Sequence, residues 1–144
     1  MQKTTHKVIN FTISGLIGLV ALGVGEYAFV RFAPVSTWIA YYEVTPSKEV
    51  FSIGEEITFV SKSETRVDVD MEYEDILRCD GKYYSVYESS RTDKPAGESE
   101  GVWVYQGAVP LYKAQCELES NISACPGFGI CKPFRVEGDQ FSIK

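Results

Sequence analysis

From Val8 to Val30 the chain reads VINFTISGLIGLVALGVGEYAFV, and of these residues Glu26 alone carries a formal charge. A helix rises about 1.5 Å per residue, so about 20 apolar residues cross a hydrocarbon core of about 30 Å. This run constrains the chain more than any other feature, because it argues against a simple cytosolic globule. It predicts a tail at residues 1–7, a transmembrane helix at 8–30, a linker at 31–37 and one folded domain at 38–144. Lys3 and Lys7 precede the run, and the chain turns acidic after Arg31. The positive-inside rule therefore places the N-terminus in the cytoplasm and the C-terminal domain in the periplasm or outside the cell. The competing reading is a cleaved signal peptide, with Ala21-Leu22-Gly23 as its small-x-small site. The apolar character continues through Tyr27-Ala28-Phe29-Val30, which favours an uncleaved signal anchor.

Ser14, Gly18, Ala21 and Gly25 recur at intervals of three and four, so they share one helix face. Small side chains let a second helix backbone approach closely in lipid, which predicts a packing stripe. A stripe of this kind also arises by chance, since membrane helices are rich in small residues. Glu26 sits near the end of the run, where a carboxylate needs water or a partner.

Beyond Pro34 the texture changes to short runs of Val, Ile, Tyr, Phe and Thr broken by Gly, Pro, Asp and Ser. No stretch there repeats apolar residues at helical spacing, so the domain reads as all-β. Expected strands are 38–44, 56–61, 67–73, 76–79, 82–87, 102–106 and 111–118, with a closing hairpin of 134–136 and 140–143. Val67, Val69, Met71 and Tyr73 alternate with Asp68, Asp70, Glu72 and Glu74, which puts one face in a core and the other in water. Asp80-Gly81 is a two-residue hairpin turn that needs positive φ at both positions. The polar stretch 89–100 reads as an exposed loop. Seven or eight short strands in such a domain match an immunoglobulin-like antiparallel β-sandwich, with a small Greek-key barrel as the alternative. The segment from Val44 to Phe59, with Pro46 and a Gly54-Glu55 turn between two strands, is similar to the opening of many immunoglobulin-like domains.

Cys79, Cys116, Cys125 and Cys131 all follow the apolar run. An even cysteine count in a small exported domain predicts two disulfides. The spacing favours Cys79 with Cys116 and Cys125 with Cys131. Zinc is the weaker reading, because it prefers close C-x-x-C pairs and histidine, and the one histidine is His6.

That single histidine excludes Ser-His-Asp and Cys-His centres in the domain. No phosphate-binding loop, dinucleotide fingerprint or metalloprotease motif is present. A net charge of −6 argues against nucleic acid. No catalytic residue, cofactor or metal site is predicted. Asp68, Asp70 and Glu72 lie about 7 Å apart along a strand, at about 3.3 Å per residue, and read as a solvated face. Lys62, Arg66 or Lys82 on a neighbouring strand is expected to offset their charge. Tyr83, Tyr84, Tyr87 and Trp103 form a candidate binding surface, since exposed aromatic side chains give large contact area at small entropy cost.

The first expectation is thus a membrane-anchored accessory or assembly subunit of a membrane or envelope complex, touching lipid and a protein partner through both helix and β-domain. The second is a stand-alone surface module for a ligand, glycan or receptor, such as a virus or phage encodes. The third is an enzyme using carboxylates, which requires a pocket joining Asp75 or Glu88 with Asp68.

Overall fold

A computed structural model describes residues 2–85, 90–127 and 129–144, with helix side chains described from Leu16 onward. The chain divides into two compact units, Met1–Ala33 and Pro34–Lys144.

The first unit is one helix, α1 (Gln2–Phe32). Leu16, Ile17, Leu19, Val20, Leu22 and Val24 on it are all exposed. With Phe29 and Phe32, which are also exposed, these positions run right round the axis at 100° per residue. Among the described residues no helix is long and apolar enough to cross a membrane. The described residues therefore do not supply the transmembrane segment expected over 8–30. Gly18, Gly23, Gly25 and Glu26 dilute the apolar character of the described half.

Among the described residues the second unit is built of ten strands in two sheets. One sheet holds β1 (Ile39–Pro46), β3 (Thr58–Thr65) and β7 (Gly97–Val104), in the order β1-β3-β7. The other has β4 (Val69–Cys79) and β8 (Ala114–Gly127) at its centre, paired antiparallel. Beyond β4 lie β5 (Lys82–Ser85) and β6 (Ser90–Lys94), end to end. Beyond β8 lie β9 (Ile130–Glu137) and β10 (Phe141–Ile143). The two-residue β2 (Val50–Phe51) adds to β10 in parallel.

The two inner faces share a core. Val44, Phe51, Ile57, Phe59, Leu77, Leu118, Phe141 and Ile143 are buried in one cluster. Phe141 meets Phe51 and Phe59 edge to face, with ring centroids 5.3 and 5.7 Å apart. Cys79–Cys116 joins the two directly opposed residues of β4 and β8 inside this cluster. Cys125–Cys131 closes the turn between β8 and β9. Both bridges follow the expected pairing, and among the described residues no cysteine is free.

The strand read from 67–73 runs on to Cys79, so the two expected strands are one; its alternation weakens at Asp75 and Ile76, both half-buried, and resumes at Leu77. It begins at Val69 rather than Val67, which is exposed. Asp80 and Gly81 both have positive φ, 46° and 78°, as the hairpin turn requires. Within the expected loop 89–100, Ser90–Lys94 is instead β6 and Gly97–Glu100 is the first half of β7. Their side chains are polar, but a ladder is made by backbone groups, and at a sheet edge the side chains stay in water. The closing hairpin is also corrected. β9 and β10 do not pair with each other; both pair with β8, one after the other along its edge. Gly138 makes that break. Its N–H donates to the Leu118 carbonyl at 2.8 Å, and a Cβ there would stand 3.0 Å from the Val44 carbonyl oxygen.

Candidate functional site

Along the interior of the β unit the side chains change character. At one end the inner faces carry Phe, Ile and Leu. At the other, β3 presents Ser61, Ser63 and Thr65 inward, and β7 faces them with Gly101, Ser99 and Gly97. Each β3 side chain is satisfied by hydrogen bonding. The Ser63 hydroxyl meets that of Ser99 at 2.8 Å, Ser61 donates to the Gly101 carbonyl at 3.4 Å, and Thr65 donates to that of Pro95 at 2.7 Å. Small polar side chains do not fill the space between two sheets about 10 Å apart.

What remains is a cleft of about 660 Å³, within the usual size range of a ligand site. Its mouth lies between two sheet edges. Ser90, Thr92 and Lys94 of β6 form one lip, and Trp103 and Val104 of β7 with Gln106 form the other. The two lips belong to different sheets and are joined at Pro95-Ala96. That corner is pinned by Thr65 and by Asp68, whose carboxylate accepts the Ala96 N–H at 2.8 Å. The opposite side of the two layers is shut, where Tyr42 of β1 meets Phe134 of β9, with centroids 6.3 Å apart.

Tyr42, Tyr73 and Asp75 line the inner wall. Asp75 is there by strand parity: it shares the inward face of β4 with Tyr73 and Leu77. Ser120, directly opposite on β8, donates to one carboxylate oxygen at 2.5 Å. No lysine or arginine forms an ion pair with Asp75 among the described residues. Burial raises its pKa above the ordinary carboxylate range, and the Ser120 hydrogen bond partly opposes that shift. Burial likewise pushes the hydroxyl of Tyr73 up to about 12 and that of Tyr105 up to about 12, with the nearby Asp75 charge adding to each. Tyr42 is raised further still, by burial first and then by Tyr73 and Asp75. Tyr42 and Tyr73 thus line the cleft beside Asp75, and its charge also reaches Tyr105. Trp103 stacks on Phe59 with centroids 5.1 Å apart and an interplanar angle of 29°. One indole face is covered by that ring.

A second hollow of about 410 Å³ is lined by Asp68, Asp70, Asp93 and the Cys125–Gly127 turn. Asp70 and Asp93 are directly opposed in the β4–β6 register. The Arg91 hydrogen bond holds Asp70 below the ordinary range, while the hydrogen bond with Asp70 raises Asp93. The cation that offsets the acidic face is Arg91, which pairs with Asp70 and reaches Glu72 at 3.6 Å. Lys62, Arg66 and Lys82 do not take that role among the ion pairs of the described residues. No group of three or more His, Cys, Asp or Glu could hold a metal ion among the described residues.

The expected aromatic surface is not one surface. Trp103 lines the cleft with Tyr42 and Tyr73, which the sequence reading left out of the binding set. Tyr83 is 65% exposed. Tyr84, next to it on β5, points to the other face and meets the Tyr112 hydroxyl at 2.9 Å. Tyr87 lies outside the described residues, as does Glu88. Asp75 and Asp68 face separate hollows, so the pairing an enzyme reading needs from them is not made. On α1, a Cβ at Gly18 or Gly25 would meet open space. Ala21 is exposed, and the Ser14 side chain lies outside the described residues.

No known protein family matches the chain, and no curated protein matches it. Among solved structures it is similar to Spo0M, a sporulation control protein from Bacillus subtilis, at 15% identity with a TM-score of 0.39. That likeness covers 72% of this chain and 48% of the other, so the chain spans about half the length of its structural neighbour.

Proposed function

We propose that the protein is a membrane-attached, extracytoplasmic β-domain of immunoglobulin-like sandwich type, working as an accessory or assembly subunit of a membrane or envelope complex. The observation that carries this reading is the girdle of exposed apolar side chains on α1, joined in one chain to a domain with two disulfides. A helix apolar on all sides needs lipid or protein around it. Disulfides persist in oxidising compartments. Attachment is read from the whole apolar run 8–30, and the small-residue stripe Ser14, Gly18, Ala21 and Gly25 is the face for a partner helix. The test is purification of the full chain from its native membrane in mild detergent, with mass spectrometry of what accompanies it. A stoichiometric companion, lost on Gly18→Leu or Gly25→Leu, is expected. Recovery from the soluble fraction would refute attachment.

The cleft favours a second reading, a stand-alone module that binds its ligand between the sheets. It predicts that the chain comes out of the membrane alone, and that its activity is lost by changes at the β6 and β7 lips rather than on α1.

A further inference from the structure

We propose that the inter-sheet cleft is a site for an alkylammonium group, with Asp75 as its counter-ion and Tyr42, Tyr73 and Trp103 as its aromatic walls. This goes beyond attachment and assembly, since it concerns what the β-domain itself holds.

The argument starts from charge. Asp75 is an acid on the inner face of a central strand; Ser120 supplies a hydroxyl to one oxygen, and among the described residues no lysine or arginine forms an ion pair with the carboxylate. Removing a carboxylate from water without a counter-charge is costly. A ligand that brings the counter-charge recovers that cost on binding. The second part is the wall. Aromatic faces attract ammonium groups within about 6 Å of the ring centre, and more strongly where water is excluded. The rings of Tyr42 and Tyr73 lie together, 5.9 Å apart, and Trp103 stands on the facing lip.

Lys94 also lines the cleft and must be placed before the argument is complete. It lies opposite Val69 in the ladder, six residues along β4 from Asp75. That is about 20 Å between backbone positions at 3.3 Å per residue. Its ammonium donates to the Ser99 hydroxyl at 3.2 Å, in the cross-strand row that runs from Tyr42 through Ser63 to Ser99. Lys94 is thus engaged by Ser99, and among the described residues it forms no ion pair with Asp75. The same head group can arrive on a free amine or on a lysine side chain of a partner.

The test is calorimetric titration of the full chain in mild detergent with two ammonium probes, cadaverine and the peptide acetyl-Gly-Lys-Gly-amide. Pentanol and acetyl-Gly-Gln-Gly-amide are the neutral counterparts. Each ammonium probe that binds should do so at least about tenfold more tightly than its neutral partner, a factor worth 1.4 kcal/mol. Binding of both probes identifies the free head group as sufficient, and binding of the peptide alone identifies a partner lysine. Asp75→Asn should abolish the preference while keeping the Ser120 hydrogen bond. Thr92→Lys, at an exposed position on the lip, should weaken both probes by supplying a competing cation without touching the core. Equal affinity for neutral and charged probes would overturn the proposal. So would an undiminished preference in Asp75→Asn, or no binding of either ammonium probe at about 10 mM, where a ligand of Kd about 1 mM is near saturation.

Discussion

Removing both partners of each disulfide separates two kinds of staple. Cys79 and Cys116 are 37 residues apart and Cys125 and Cys131 are 6 apart. In the loop-entropy treatment the entropy taken from the unfolded chain grows with the logarithm of loop length. That gives about 4 kcal/mol for the first bridge and about 2 kcal/mol for the second. The first also loses two sulfur atoms from the middle of the core, where Cys79 is 0% and Cys116 1% exposed, and the cavity adds to the cost. Cys79→Ala/Cys116→Ala should therefore cost at least about 1.5 kcal/mol more than Cys125→Ala/Cys131→Ala. Urea unfolding of the full chain in detergent, followed by Trp fluorescence, measures both losses. Against a typical total of about 5–15 kcal/mol, the first double variant stands near its threshold and the second does not. Equal losses, or the larger loss at Cys125–Cys131, would refute the claim that the long bridge constrains the unfolded state and the core together.

Asp75→Asn should be more stable than the parent at about pH 7, because the folded state raises the carboxyl pKa and so penalises the charged form. The sign follows directly: this group favours folding most below its unfolded pKa of about 3.9, and that contribution is lost as pH rises through the folded value. The gap between variant and parent should close in acid, read by urea unfolding against pH; Tyr42, Tyr73 and Lys94 line the same cleft as Asp75, and Tyr105 is near enough to feel its charge. Phe59→Ala should cost about 3–5 kcal/mol in the same unfolding assay, since it removes a ring from the shared core. Gly138→Ala should cost about 1–3 kcal/mol, because the new Cβ presses on the Val44 carbonyl, and an unchanged midpoint would show that the strand break can relax. Arg91→Ala should raise the pKa of Asp70, measured by NMR titration, because the guanidinium hydrogen bond is the main cause of its depression.

Where the chain buries alternate residues, its sequence carried the fold. β4 reads directly from Val69, Met71 and Tyr73, and the Asp80-Gly81 turn from its need for positive φ. Both disulfides follow the pairing expected from the even cysteine count and the spacing. Edge strands left no such mark: Ser90–Lys94 has no apolar residue, and its place is set by backbone pairing with β4. The split of the last edge into β9 and β10 was hidden for a related reason, since Gly138 reads as an ordinary turn glycine. The cleft was least legible. It is a space left by Ser61, Ser63, Ser99 and Gly101, and small polar residues in a β-domain look like a solvated face. One signal was available. Continuing the alternation past Tyr73 puts Asp75 on the inward side, where a charge needs a reason.

The segregation of the interior bears on how such a protein can change over time. Most side chains that line the opening lie apart from those that hold the two layers together, and Trp103, stacked on Phe59, belongs to both. Replacements at Ser90, Thr92 or Gln106 leave Phe51, Phe59, Phe141 and the buried bridge untouched. Recognition can then drift among descendants of this chain while the scaffold stays fixed. Lineages carrying it should diverge first at the lips of the opening and last around Phe59 and Leu77.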